Sequence, residues 1–431
     1  MTASAVPKPT APTASRKRGD GAWATALWAA YGTRVIVWVA AMLALAISPP
    51  GHAIVASFDP SGLTQPFHSS VLNRLLAPAA RYDSVWYIGI AQHGYFTGQA
   101  RAFFPLYPLL ISAIDQVVNQ PLVVGLVISL ACFTGSLVLL YRLALLDLGP
   151  RAAELTVWLL ALFPMSLYFS AVYTESLFTL ASIWSIYAAR RERWLLAGVM
   201  AGLASAARSD GFVLVIPLAW IYLWGPRPSA LSADIDWRSP LGLVRRARPS
   251  LAWLGLAPLG LVAYLVYSAA GGAGFTAPFH AASLYWGRSF RGPFSEIWTA
   301  IAAFPADVGH LISGNQIVHF DNDDPLNWTW DNVIDVLWLI PLLAALIACW
   351  RKLPRVYCAY TLAIIVASAS NPSPLEPMMS FARYVMPAFP LFMGAAAVLV
   401  DRPRAKWATL ATSGLLLAGF SALWGIWAWV A

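Results

Sequence analysis

A chain of 431 residues, 59% of them hydrophobic and only 11% charged, falls outside the soluble class, whose domains carry about 25% charged residues. With a mean hydropathy of +0.63 it has too little polar surface to coat a globule, so lipid must cover much of it. It reads as an all-α polytopic membrane protein. The net charge of +8 sits in short connections between apolar runs, where it sets membrane orientation; nucleic acid is not an expected partner.

Residues 1–22 read as a disordered cytoplasmic tail, because prolines at 7, 9 and 12 break any helix before Arg16-Lys17-Arg18. From 23 onward the chain reads as one transmembrane domain. The first apolar run, Trp23 to Ile47, is longer than a signal-peptide core. Arg34 interrupts it, which places its start along the cytoplasmic interface with the guanidinium snorkelling outward. Further apolar spans fall near 121–142, 153–171, 176–189, 194–207, 211–225, 251–270, 333–350, 356–370, 384–400 and 407–430, giving about eleven.

Basic residues gather at alternate connections: Arg142 and Arg151, Arg190 to Arg193, Arg227 with Arg245, Arg246 and Arg248, Arg351-Lys352, and Arg402 to Lys406. These belong inside. Most of the acids lie in the other connections, so 49–120 and 271–332 become large outer loops. That partition requires 103–118 to be a partial, re-entrant or interfacial helix. Cys132, Cys349 and Cys358 have neither metal-ligand spacing nor a paired framework and are assigned no chemistry.

The first outer loop contains Arg81-Tyr82-Asp83, followed by a helix expected over 84–92. Val85, Trp86, Ile88 and Ile90 are apolar, and Trp86, Tyr87 and Tyr95 carry rings suited to headgroup depth, so the helix reads as interfacial. Asp83 is then either a solvated acid at the positive end of a helix dipole or a functional carboxylate held at the boundary. Glu175, after Tyr173-Thr174, reads as the first turn of a helix capped by Thr174, or as a second polar group reaching an outer cavity. Arg208 in Arg208-Ser209-Asp210 is either neutralised by Asp210 or clamps a phosphate with its forked donors. Arg288 and Arg383 are further outer-side candidates. Asp321-Asn322-Asp323-Asp324 looks like a nucleotide-sugar D-x-D signature but lacks the soluble domain that motif needs, and reads as a solvated acidic turn. Asn327-Trp328-Thr329 is a glycosylation acceptor only where the machinery exists. No nucleophile elbow, P-loop, H-E-x-x-H or dinucleotide fingerprint is present.

As a set, Arg81-Tyr82-Asp83 with Ile90-Ala91-Gln92-His93-Gly94-Tyr95, Ala102-Phe103-Phe104-Pro105-Leu106-Tyr107-Pro108, Ser170 to Phe178 and Ala207-Arg208-Ser209-Asp210-Gly211 resembles the GPI mannosyltransferase II (PIG-V) family and its bacterial relatives. These are multispanning GT-C glycosyltransferases. Tyr82 stands where the family commonly has Trp, and Asp210 where eukaryotic members have Asn. The resemblance implies a GT-C bundle whose first outer loop carries amphipathic interfacial helices. It implies an inverting transfer of mannose from a polyprenyl- or dolichyl-phosphate donor to a lipid- or protein-linked acceptor on the non-cytoplasmic face. Asp83 matches the catalytic base. Arg208, Arg383, Arg288, Glu175, Tyr87 and His93 are the candidate substrate- and phosphate-binding residues, His93 reading more readily as helix-end structure. No metal is obligatory in that chemistry, because a cationic side chain can meet the leaving phosphate. The expected setting is the plasma membrane, or the endoplasmic reticulum in a eukaryote. A lipid flippase and a non-catalytic assembly subunit are the competing readings; a flippase predicts duplicated halves with interrupted helices, and no such repeat is visible.

Overall fold

The computed structural model describes residues 14–226, 248–313, 328–373 and 376–430, with side chains of 14–20 and 328–331 left aside. Every regular element among the described residues is helical. Helix α1, Ala14–Ile47, reaches back into the stretch expected as a tail. Its two faces follow from residue size. Ala22, Ala26, Ala29, Ala30, Thr33, Val37 and Ala41 are buried, whereas Trp28, Tyr31, Val35, Val39 and Leu43 are exposed. Small residues at helical spacing let a neighbour approach, and large apolar ones suit lipid. The neighbour is the last helix, α18 (Pro403–Gly425). At Gly425 the two backbones come so close that a Cβ there would lie 2.9 Å from the Ala41 carbonyl oxygen.

The stretch expected as the first outer loop holds α2 (His52–Phe58), α3 (Ser70–Leu76), α4 (Asp83–His93) and α5 (Leu106–Val118). The first two bury no residue. Helix α4 differs from the interfacial reading: Ser84, Tyr87, Ile88, Gly89 and Ile90 are buried, because its apolar residues are spread around the axis and neighbours cover it. Helix α5 has 13 residues, about 20 Å at 1.5 Å per residue, which falls short of a ~30 Å hydrocarbon core.

There follow α6 (Pro121–Leu148), α7 (Pro150–Leu162), a 3-10 turn at Pro164–Ser170, α8 (Glu175–Arg190), α9 (Trp194–Ala207), a second 3-10 turn at Ser209–Leu214 and α10 (Val215–Trp224). After a third, at Pro249–Leu256, come α11 (Leu259–Ala270), α12 (Ala277–Trp286), α13 (Ser295–Ser313), α14 (Trp328–Lys352), α15 (Arg355–Ser368), α16 (Phe381–Val385) and α17 (Pro390–Leu399). Among the described residues, four helices are long and apolar enough to cross a membrane. The number rises to six if the bent pairs 150–170 (80°) and 249–270 (48°) each make one span. The difference from about eleven lies in breaks that continuous apolar runs do not reveal. Helices α9, α15 and α17 and the 209–224 pair are apolar but shorter.

Helix α8 separates two polar ends. At its C-terminus, Arg190 makes a two-pronged pair with Asp147 (2.7 and 2.9 Å) and donates to the Tyr357 hydroxyl (2.5 Å). Arg151 pairs with Asp401 at 3.6 Å. These contacts tie the connections at 148–151, 190–193, 352–357 and 399–403 to one end of the bundle; Glu175, at the other terminus of α8, meets Arg208 and Arg383. Arg34 departs from expectation. It is 5% exposed and turned into the bundle, because neighbouring carbonyl and hydroxyl oxygens receive its donors. Cys349 and Cys358 meet as free thiols with sulfurs 3.5 Å apart. Arg227, Arg245, Arg246, the Asp321–Asp324 run and Asn327 lie outside the described residues.

Candidate functional site

Asp83 opens α4, and the residue before it makes the turn. Tyr82 has φ 48° and ψ −112°, a region that costs an ordinary side chain about 1–3 kcal/mol and persists only where surroundings enforce it. Here the enforcement is aromatic. The Tyr82 ring packs against Phe58, Trp424, Trp427 and Trp429, and its hydroxyl donates to the Trp427 carbonyl. Arg81 donates to the carbonyls of Gly425 (2.8 Å) and Ala80 (2.8 Å). The Asp83 N–H donates to the Tyr173 hydroxyl (3.0 Å), which donates to the Arg81 carbonyl (3.1 Å). The backbone beneath Asp83 is therefore fixed from several sides.

Its carboxylate heads a chain of alternating charges. Oδ2 of Asp83 lies 3.0 Å from Nη1 of Arg383, which comes from α16. Arg383 Nε lies 3.5 Å from Glu175 Oε1, and Arg208 Nη1 approaches the same oxygen at 3.5 Å. Arg208 Nη2 continues to Asp210 at 3.2 Å. Arg383 also donates to the Tyr384 hydroxyl (2.9 Å) and stands over the rings of Tyr168 and Tyr173, at 5.1 and 5.3 Å. Arg288 donates to the Met379 carbonyl. Three guanidiniums, those of Arg208, Arg288 and Arg383, surround the Tyr384 ring at 4.5, 4.8 and 4.8 Å, a favourable arrangement for cations on an aromatic face.

These groups form the polar end of a cavity of about 1110 Å³. Phe212, Ile216, Leu261, Phe279, Leu362 and Val366, from α10 to α12, α15 and the turn before α10, line its apolar part. Asp83, Glu175, Arg208, Arg288, Arg383 and Tyr87 all line the same space. His93 does not: it is exposed at the far end of α4, edge-on to Phe96, since ten residues of helix carry it away from Asp83. Thr174 does not cap α8; its hydroxyl pairs with that of Tyr87 at 3.3 Å. Burial first, with Glu175 and Asp83 adding, holds the Tyr87 phenol above its ordinary range, so it stays neutral and able to donate.

Sequence reasoning missed Tyr384, although it adjoins Arg383, and the supporting rings of Tyr168 and Tyr173. It also missed Trp429, which lines the cavity. Asp210 took only the role of a neutralising neighbour, yet it too lines the cavity. Among the described residues no group of three or more His, Cys, Asp or Glu side chains gathers for a metal ion. The arrangement offers two partly exposed carboxylates, Asp83 and Asp210, beside guanidiniums able to receive an anion, with an apolar wall leading away.

Residues 27–222 match the family model described as mannosyltransferase (PIG-V). The chain is 31% identical over 202 residues to the GPI alpha-1,6-mannosyltransferase 2 of Rattus norvegicus, covering 43% of this chain and 40% of that protein. To the Homo sapiens protein of the same name it is 28% identical over 198 residues, with the same shares, 43% and 40%. To the GPI mannosyltransferase 2 of Yarrowia lipolytica it is 28% identical over 148 residues, 34% of this chain and 41% of that one. The chain thus spans about two fifths of the length of the curated relatives it matches. Among solved structures, the apo oligosaccharyltransferase of Archaeoglobus fulgidus aligns at a TM-score of 0.41 and 13% identity, over 92% of this chain and 56% of that chain, a likeness too slight to bear on the site. The likeness to the mannosyltransferase (PIG-V) family thus lies in residues 27–222, the segment that contributes Asp83, Glu175 and Arg208.

Proposed function

We propose that this protein is an inverting GT-C mannosyltransferase that moves mannose from a polyprenyl- or dolichyl-phosphate donor to a lipid- or protein-linked acceptor on the non-cytoplasmic face of the membrane. The observation that carries the reading is a single cavity with Asp83 and three arginines at one end and an apolar wall at the other. Such a space suits a donor whose tail is lipid and whose reacting end is a sugar phosphate. In this scheme the shorter apolar helices combine into further spans, toward about eleven, and the Asp83 end faces outward.

Asp83 orients the acceptor hydroxyl and takes its proton late, as the acceptor oxygen bonds to the sugar C1 and the C1–phosphate bond breaks. The departing phosphate leaves with the bonding pair and meets guanidiniums already in place, which need no reorganisation. Arg383, bound to both carboxylates, holds the base. Arg288 and Arg208 are placed to receive the phosphate. The match of residues 27–222 to the mannosyltransferase model supports the sugar, and a cavity of about 1110 Å³ has room for a large acceptor.

The test uses full-length protein in lipid nanodiscs, labelled polyprenyl-phosphate mannose, and lipid extracted from the source membrane as the acceptor pool. Mannose is expected to enter the lipid fraction with wild type. Asp83→Asn, folded to the same degree, is expected to reduce transfer at least about a hundredfold. Undiminished transfer by Asp83→Asn removes it as the base, and no transfer above protein-free nanodiscs removes the mannosyltransferase reading.

A further inference from the structure

Arg34 is a buried cation of α1, and among the described residues no carboxylate stands within ion-pair distance of it. Nη1 donates to the Ser166 carbonyl (2.5 Å) and Ser170 Oγ (3.2 Å). Nη2 donates to Ser166 Oγ (2.9 Å) and the Ala161 carbonyl (3.4 Å). The guanidinium also stands 4.8 Å from the Phe133 ring. A charge in a membrane-embedded interior is costly, so packing alone would favour a neutral residue. What arginine adds is a planar fork of donors that reaches several oxygens at once.

Those oxygens lie where α7 bends by 80° into Pro164–Ser170. A break at membrane depth frees backbone carbonyls that only protein groups can satisfy. The turn and the residues just after it reach Arg383 directly, and Glu175 and Asp83 through their backbone neighbourhoods. Tyr168 lies under Arg383. The Phe169 carbonyl accepts from Ser176 Oγ (2.8 Å), next to Glu175. Val172 N–H donates to the Ala79 carbonyl (2.8 Å), and Tyr173 holds the Asp83 N–H (3.0 Å).

The geometry points to Arg34 as a positioning residue for sugar transfer: by tying the break between Ala161 and Ser170 it fixes the turn that sets Asp83, Glu175 and Arg383 relative to one another. Arg34 does not line the cavity and touches no substrate. What is positioned rests on the proposed transferase reading; the positioning itself does not.

Wild type is compared with Arg34→Lys, and with the double variant Ser166→Ala/Ser170→Ala in case the lysine protein does not fold. Hydrogen–deuterium exchange is expected to quicken over 164–176 and 81–85 and to stay unchanged over 194–224. In mannose transfer, kcat per folded molecule is expected to fall about ten- to a hundredfold with donor KM unchanged, as for a small misplacement of reacting groups. Loss of folded protein with unchanged exchange and unchanged kcat per folded molecule overturns the inference and leaves Arg34 merely structural. If wild type transfers no mannose, the transferase reading fails and the exchange pattern alone decides on Arg34. If wild type transfers mannose but both variants exchange like it, the positioning fails and the transferase reading stands.

Discussion

Arg383 is the residue on which the two carboxylates of the site converge, and at 3% exposure it is the most deeply set of the three arginines. Its bond to Asp83 is charge-assisted and geometrically specific, so a lysine, with a single compact charge, cannot serve Asp83, Glu175 and Tyr384 together. Arg383→Lys is expected to lower kcat about a hundredfold with little change in donor KM. Arg288→Ala, whose guanidinium meets a carbonyl and the Tyr384 ring, is expected to raise donor KM about tenfold and spare kcat. The reverse split in steady-state kinetics rejects this division of roles. The residues were candidates in the sequence, Asp83 through the family resemblance and not its local pattern, the arginines because such charges are unusual beside lipid. Their pairing was not, because Asp83 and Arg383 stand 300 positions apart and no local pattern records which cation meets which acid. Arg34 was misread for the same reason: a lone arginine in an apolar run gives no hint of the oxygens that await it.

At the level of elements, two local features make separable predictions. Helices α9 and α11 touch backbone to backbone: a Cβ at Gly260 would lie 2.2 Å from the Gly202 carbonyl oxygen, whereas one at Gly255 meets nothing within 4 Å. Gly260→Ala is expected to cost about 1–3 kcal/mol through overpacking and to lower the melting temperature; Gly255→Ala is expected to leave it nearly unchanged, and equal effects reject the close contact. The second feature is Glu296 in the first turn of α13, 1% exposed, with Oε2 lacking a hydrogen-bond partner. Burial pushes its carboxyl up to about 8, against the opposing pull of Arg288 and the Asn371 backbone. Folded protein then keeps a proton that the unfolded chain has lost. Stability contributed by this group is present below 4.5 and falls as pH rises toward 8, by ~1.4 kcal/mol per unit. Glu296→Gln is expected to gain melting temperature over wild type progressively between about pH 5 and pH 8, then hold a constant margin. A margin independent of pH rejects the buried protonated carboxyl. The length of their apolar runs made α1 and α6 readable; the 80° break inside 150–170 was not, because Phe163-Pro164 lies in an unbroken apolar run.

On the scale of the whole molecule, the site is divided between two parts of the chain. Residues 27–222, the part that matches the family, supply Asp83, Tyr87, Glu175, Arg208 and Asp210, while Arg288, Arg383 and Tyr384 come from beyond it. Composition correctly assigned the chain to the membrane, and charge alternation correctly gathered the 190–193 and 352–357 connections at one end, because both signals are sums over many residues. A cavity assembled from distant segments is not such a sum. The protein expressed only through residue 222 is expected to show no donor-induced quenching of tryptophan fluorescence, whereas full-length protein, with Trp286 and Trp429 lining the cavity, is expected to show it; quenching in the shorter chain rejects the division.

Tyr82 adds a matter of timing. The bond that holds its strained turn comes from Trp427, 345 residues later. At about 5–20 residues per second, synthesis separates the two by roughly 17–70 s. During that interval the Arg81–Asp83 segment has Phe58 beside it but lacks the three tryptophan rings that complete its support. The Asp83 end of the bundle is thus among the last parts to mature, after most of the chain has been made. Substitutions near Trp424 and Trp427 would produce inserted, full-length and inactive protein, a failure of ripening that expression level alone would not disclose.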